Sequence, residues 1–178
     1  VAAARELGVT WHTLVAPDKE AVYAEFLPDA VQPAARRPVH EFLEVAAAAG
    51  ADVSYPLPEL RDARAEMLVY RQADTHWTDF GAYVAYRALC RSLAASGLSV
   101  PVVEHDAIAW RRVPVWDDLA GKVDPARSGQ TLAASIWAAR ARVAFDNRVL
   151  RHGRIMVLES GWSAPTCVAF GESFGALL

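Results

Sequence analysis

The stretch RQADTHWTDFGAYVAYRAL, residues 71–89, sets an acid, a histidine and a tryptophan within four positions, just ahead of a helix-forming run. An aspartate two residues before a histidine can hold one imidazole nitrogen and leave the other to take a proton from a hydroxyl. If the short loop is extended, Asp74 and His76 project to the same side, because alternate residues share a face. A matching nucleophile stands near the far end. GESFG (171–175) fits G-x-S-x-G, in which the serine sits on a tight turn from strand to helix. TCVAF (166–170) reads as the buried strand leading in. The helix start would aim the amides of Ser173 and Phe174 at an oxyanion. Each piece alone has a plainer role: Asp74 as a cap or turn residue, His76 as a satisfied loop histidine, Ser173 as a capping serine. Their combination is what points to nucleophilic acyl chemistry.

The other candidates carry less. His12 falls inside a strand, His40 on a helix face, His152 in a hairpin turn, and His105 beside acids in VVEHDAIAW. Only His76 joins a loop position to a nearby carboxylate. A metal set of Asp74, His76, Glu104 and His105 has no recognised ligand spacing, so no metal is assigned. Lys19 and Arg71, near strand ends, are candidate contacts for an anionic sugar or carboxylate, with solvated surface as the plainer reading. Trp77 is a candidate sugar-stacking ring, or else the staple residue before a helix cap. Trp110, Trp116, Trp137 and Trp162 read as packing, and Cys90 and Cys167 as small buried apolar residues.

These residues need a frame. VAAARELG reads as a helix end closed by Gly8, VTWHTLVA as a strand, and DKEAVYAEFL as a short helix begun at Asp18 and broken by Pro28. VHEFLEVAAAAG is a helix, ADVSYP a strand, LPELRDARAEM a helix and LVYR a strand. Thr78 caps a helix that runs to about Ser96 and closes at Gly97. VVEHDAIAW is a candidate strand, SIWAARARVAF fits helix or strand, and RVLRHGRIMVLES reads as a hairpin turning at His152-Gly153. Strands alternating with helices predict an α/β fold with a largely parallel sheet. Sites in such sheets form beyond the carboxyl ends of the strands. Pro17-Asp18-Lys19, Arg71 to Trp77 and Gly171 to Gly175 are the segments expected there.

With 178 residues, 53% apolar and 22% charged, the chain is of single-domain size and globular composition. A net charge of −3 gives no basic footprint for nucleic acid. No apolar run approaches the roughly 20 residues of a membrane span. The start inside a helix and the stop just after GESFG suggest a piece of a longer chain.

Three stretches, VAPDKEAVYAEFLP, YRQADTHWTDFGAYVAYRAL and the strand into GESFG, carry a resemblance. The chain resembles the SGNH-hydrolase-like domain of alginate O-acetyltransferases and related bacterial polysaccharide acetylation proteins. The resemblance implies a three-layer α/β/α sandwich with a mainly parallel sheet, a single domain over residues 1–178 that is incomplete at both ends. It implies a triad of Asp74, His76 and Ser173. Glu172 stands where the family usually has Asp, a support of the turn. The implied reaction is acetyl transfer to hydroxyls of an exported polysaccharide, without metal or nucleotide cofactor. The acetyl donor would come through a membrane-bound acyltransferase, in the periplasm or cell envelope. A carbohydrate acetylesterase and a non-catalytic polysaccharide-binding scaffold are the alternatives.

Overall fold

A computed structural model describes residues 2–124, 126, 129–136, 141–149, 153–161, 166–171 and 173–174. His152, Trp137, Trp162, Glu172 and Gly175 lie outside them, so the readings placed on these residues are not addressed by it.

The first half follows the sequence pattern closely. Helix α1 (Ala2–Glu6) ends at Gly8, whose φ of 67° is the left-handed value that closes a helix without a Cβ clash. Strand β1 (His12–Leu14) leads through Pro17 into α2 (Lys19–Val22) and then α3 (Pro38–Ala48). Strand β2 (Asp52–Ser54) returns parallel to β1, pairing His12 with Asp52 and Leu14 with Ser54. Helix α4 (Leu57–Ala63) follows, and then the 17-residue α5 (Asp79–Ala95). Its length matches the apolar face from Phe80 to Leu93, and it packs against α4 and β2. The core lies here: Val22, Leu60, Val69, Tyr70, Trp77, Phe80, Ala82, Tyr83, Ala85 and Ile108 form one cluster of buried residues.

Between α4 and α5 the expected LVYR strand is reduced to one bridge, Tyr70 opposite Trp77. Hydrogen bonds from Arg71 N–H to His76 carbonyl (3.2 Å) and Thr78 N–H to Val69 carbonyl (3.0 Å) close this neck. Residues 71–76 therefore project as a short loop from a buried base. Thr78 joins base to helix: its Oγ1 accepts Gly81 N–H at 3.1 Å and donates to the Leu68 carbonyl at 2.7 Å. Gly81 lets α5 lie against the neck, since a Cβ there would stand 2.0 Å from the Val69 carbonyl oxygen. Gly81→Ala is expected to destabilise by about 3 kcal/mol, although alanine gains about 1 kcal/mol of helix propensity. Denaturant unfolding of the variant measures this.

The second half departs from the expected parallel sheet. Strands β3 (Ile108–Val115) and β4 (Gly129–Ile136) pair antiparallel, with the four-residue α6 (Ala120–Val123) between them. Strands β5 (Arg142–Asp146) and β6 (Met156–Glu159) form a second antiparallel pair. The hairpin thus draws its first arm from VAFD, and SIWAARARVAF contributes strand at both of its described ends. Among the described residues only β1 and β2 are parallel. Parallel neighbours need a crossover, which α2 and α3 supply between β1 and β2, whereas β3 with β4 and β5 with β6 are neighbours in sequence with no long helix described between them.

TCVAF is a further correction. Residues 166–170 form no strand, and Val168 and Phe170 are largely exposed. Apolar β-favouring residues give a strand only beside a partner that takes their backbone hydrogen bonds, and no described strand lies there. Cys167 is accordingly exposed, whereas Cys90 on α5 is buried.

Candidate active site

The loop at 71–76 is a turn, and not the extended segment that the D-x-H spacing suggested. Asp74 Oδ1 accepts the backbone N–H of His76 at 2.8 Å, the local closure that aspartate favours in turns. The same oxygen lies 2.7 Å from His76 Nδ1. A carboxylate offers no proton, so Nδ1 carries the hydrogen and Nε2 is the free acceptor. Nε2 lies 2.7 Å from Ser173 Oγ, which can donate to it. Asp74, His76 and Ser173 thus form one unbroken line of hydrogen bonds.

Asp74 is 2% exposed, and its second oxygen is also engaged. Oδ2 accepts Asp118 N–H at 3.1 Å and Arg71 Nη1 at 3.3 Å. Burial alone would push this carboxyl up. The hydrogen bonds from the His76 backbone and ring and from Asp118 N–H, together with the Arg71 charge, outweigh burial and hold it below the ordinary carboxyl range. Its contribution to stability is therefore present at neutral pH and is lost as pH falls through that lowered value.

The three expected segments meet. Lys19 Nζ donates to the carbonyls of Arg71 (2.5 Å), Gln72 (2.8 Å) and Asp74 (3.0 Å), which uses all three ammonium hydrogens. The Tyr70 hydroxyl donates to the Pro17 carbonyl. Lys19 therefore ties the loop to the start of α2, and the Arg71 guanidinium is paired with the Asp74 carboxylate. Trp77 is 1% exposed and offers no face to a sugar. Its ring packs edge-on to Phe174 at 5.2 Å, and its Nε1 donates to the Phe174 carbonyl at 3.2 Å. The ring of Phe174 also lies 5.0 Å from that of His76. Phe174 thus seats the serine turn on the acid loop, a role that its place in GESFG did not signal.

The remaining described histidines are differently held. His12 Nε2 meets Ser54 Oγ at 2.9 Å, but its Nδ1 has no hydrogen-bond partner among the described residues. His40 Nδ1 accepts Arg37 N–H at the start of α3. His105 lies among the rings of Phe80, Tyr83 and Trp110.

Sequence reasoning also missed the WDDL segment. Asp118 accepts Thr75 N–H at 2.9 Å and Thr75 Oγ1–H at 2.6 Å. Asp74, His76 and Asp118 are the one group among the described residues whose ligand atoms gather within 4.8 Å. Every carboxylate oxygen there already accepts an N–H or O–H, and Arg71 adds a cation, so the set is built for hydrogen bonding. Glu104 and His105 are not part of it.

Residues 2–149 match the family profile described as SGNH hydrolase-like domain, acetyltransferase AlgX. The chain belongs to this family. Solved structures share the SGNH hydrolase-like fold. The O-acetyltransferase domain of Pseudomonas putida AlgJ is 21% identical with a TM-score of 0.59, over 77% of this chain and 53% of that one. Bacillus cereus PatB1 is 12% identical with a TM-score of 0.60, over 88% of this chain and 54% of that one. A DHHW family protein from Eubacterium siraeum is 14% identical with a TM-score of 0.51, over 74% and 43%. The chain spans about half the length of these structures. No curated protein matches the sequence. Among the described residues of this AlgX-family domain, no helix is long and apolar enough to cross a membrane.

Proposed function

We propose that the protein is a serine-dependent O-acetyltransferase that acts on hydroxyls of an exported bacterial polysaccharide. The observation that carries this reading is the continuous contact from Asp74 through His76 to Ser173, at 2.7 Å on each side of the imidazole. His76 Nε2 takes the Ser173 proton as Oγ attacks the acetyl carbonyl of the donor. Asp74 keeps the ring in the accepting tautomer and stabilises the imidazolium that forms. Collapse of the tetrahedral adduct expels the donor's leaving group, which takes the proton from Nε2 and leaves an acetyl ester on Ser173. A sugar hydroxyl then gives its proton to His76, attacks the ester and departs as the acetylated sugar, returning the proton to Ser173. Neither step requires a metal. Membership of the AlgX family and likeness to the AlgJ O-acetyltransferase domain support the acetyl chemistry and the polysaccharide acceptor. The same kinship supports a place in the periplasm or cell envelope, with a membrane-bound acyltransferase as the source of acetyl groups.

The test is to trap the covalent intermediate. Incubation with a chromogenic acetyl ester and rapid acid quench is expected to leave one acetyl group on the peptide that carries Ser173, and none in Ser173→Ala. PatB1 has been captured with a sulfonyl adduct, so an aryl sulfonyl fluoride is the second probe, with modification expected at Ser173 alone. A protein that binds polysaccharide yet gains neither label is a scaffold and not an enzyme.

A further inference from the structure

A second acid stands beside the relay, and the scheme above makes no use of it. Asp118 comes from the segment after β3, 44 residues along the chain from Asp74. Its two carboxylate oxygens are both spent on one residue, Thr75, through the backbone N–H and the hydroxyl. Thr75 lies between Asp74 and His76, so gripping it fixes the direction in which both neighbours leave the chain. The backbone of the same segment completes the hold. Asp118 N–H donates to Asp74 Oδ2, and the N–H groups of Leu119 and Ala120 both donate to the Ala73 carbonyl at 3.1 Å. Asp118 Oδ2 is itself 4.0 Å from His76 Nδ1, beyond hydrogen-bond reach. It therefore leaves the ring proton to Asp74.

We propose that Asp118 is a positioning residue, which holds Asp74 and His76 in mutual alignment by clamping Thr75. The need for such a clamp is physical. The terminal torsion of an aspartate is soft, and the two hydrogen bonds that His76 makes to Asp74 Oδ1 on this turn gain a fixed direction only from what holds the loop. Lys19 fixes the carbonyl side of the loop from α2, and Asp118 fixes the amide side from the opposite half of the chain. The inference rests on reading Asp74, His76 and Ser173 as a proton relay.

The experiment compares Asp118→Ala, Asp118→Asn and Thr75→Val in the purified protein, with Ser173→Ala as control. Two readouts are used: steady-state hydrolysis of a chromogenic acetyl ester, and the far-downfield proton resonance of the His76 ring N–H held by a carboxylate. Asp118→Ala is expected to lower kcat on the order of 100-fold with KM nearly unchanged, and to broaden or remove the resonance. Asp118→Asn keeps an oxygen for Thr75 N–H and an amide that can donate to the Thr75 hydroxyl, so it should restore most of both. Thr75→Val removes only the hydroxyl half of the grip, and should lower kcat about tenfold even if Asp118→Ala does not fold. Wild-type kcat and resonance in Asp118→Ala, or wild-type kcat in Thr75→Val, overturn the proposal. So does an asparagine variant as impaired as the alanine one, which would make charge and not grip the cause. The control separates the two readings. Turnover that survives in Ser173→Ala removes the relay, while the ring resonance still decides whether Asp118 holds the pair. An inactive Ser173→Ala with Asp118→Ala unaffected removes this inference alone.

Discussion

Asp74→Asn is expected to lower turnover of an acetyl ester by about 10⁴-fold while the protein remains folded. The geometry dictates why so small a change reaches so far. Oδ1 accepts two hydrogens from His76, and Oδ2 accepts from Asp118 and Arg71. An amide nitrogen at either place therefore meets a donor. Set at the Oδ1 position, it donates to Nδ1, moves the ring proton to Nε2, and leaves Ser173 facing a donor. Set at the Oδ2 position, it opposes Asp118 N–H and the guanidinium, and the neutral oxygen left at Oδ1 stabilises the imidazolium poorly. The cost in stability is about 1–3 kcal/mol, which a folded domain tolerates. If Asp74 served only the local turn, the pattern would reverse, with near-normal rate and lower stability. Initial rates and melting temperature on one preparation decide between them. A helix-cap role is already accounted for by Thr78, whose side chain takes Gly81 N–H.

His76→Ala has the larger expected effect, a loss of about 10⁶-fold in kcat, because it removes proton acceptor and proton donor together. Truncation leaves a space bounded by Phe174 and the Asp74 carboxylate, and imidazole added to the buffer should recover part of the rate by entering it. The measurement is kcat with and without added imidazole. A rate within about tenfold of wild type in His76→Ala would remove His76 from the chemistry.

The local signals in the sequence were sound where the cause of structure is itself local. Thr78 and Gly97 bound α5, Gly8 ends α1, and Asp74 meets His76 two residues on, because caps, turns and short-range hydrogen bonds act within a few residues. Such signals do not reach a residue whose deciding contact is distant. Lys19 looks like a surface cation until three carbonyls from residues 71–74 are seen around its ammonium. Trp77 looks available to a sugar until α5 and Phe174 cover it. Asp118 carries no mark at all, since its meaning lies in Thr75, on a different part of the chain. Sheet direction among the described strands is set in the same way, by contacts that local sequence does not mark. The alternation of helices and strands counts elements, whereas direction depends on which strands find each other, and β3 with β4 and β5 with β6 pair as hairpins.

The relay joins parts of very unequal separation. Asp74 and His76 are two residues apart on a loop closed at its neck, while Ser173 reaches His76 from 97 residues away. Contacts of short separation cost little chain entropy and form early, and distant ones follow. The Asp74–His76 contact is therefore expected to form before Ser173 reaches the ring. The same asymmetry works in the mature protein. A local opening that lifted Phe174 from Trp77 would separate Ser173 from His76 while leaving the Asp74–His76 contacts in place, at a free-energy cost below that of global unfolding.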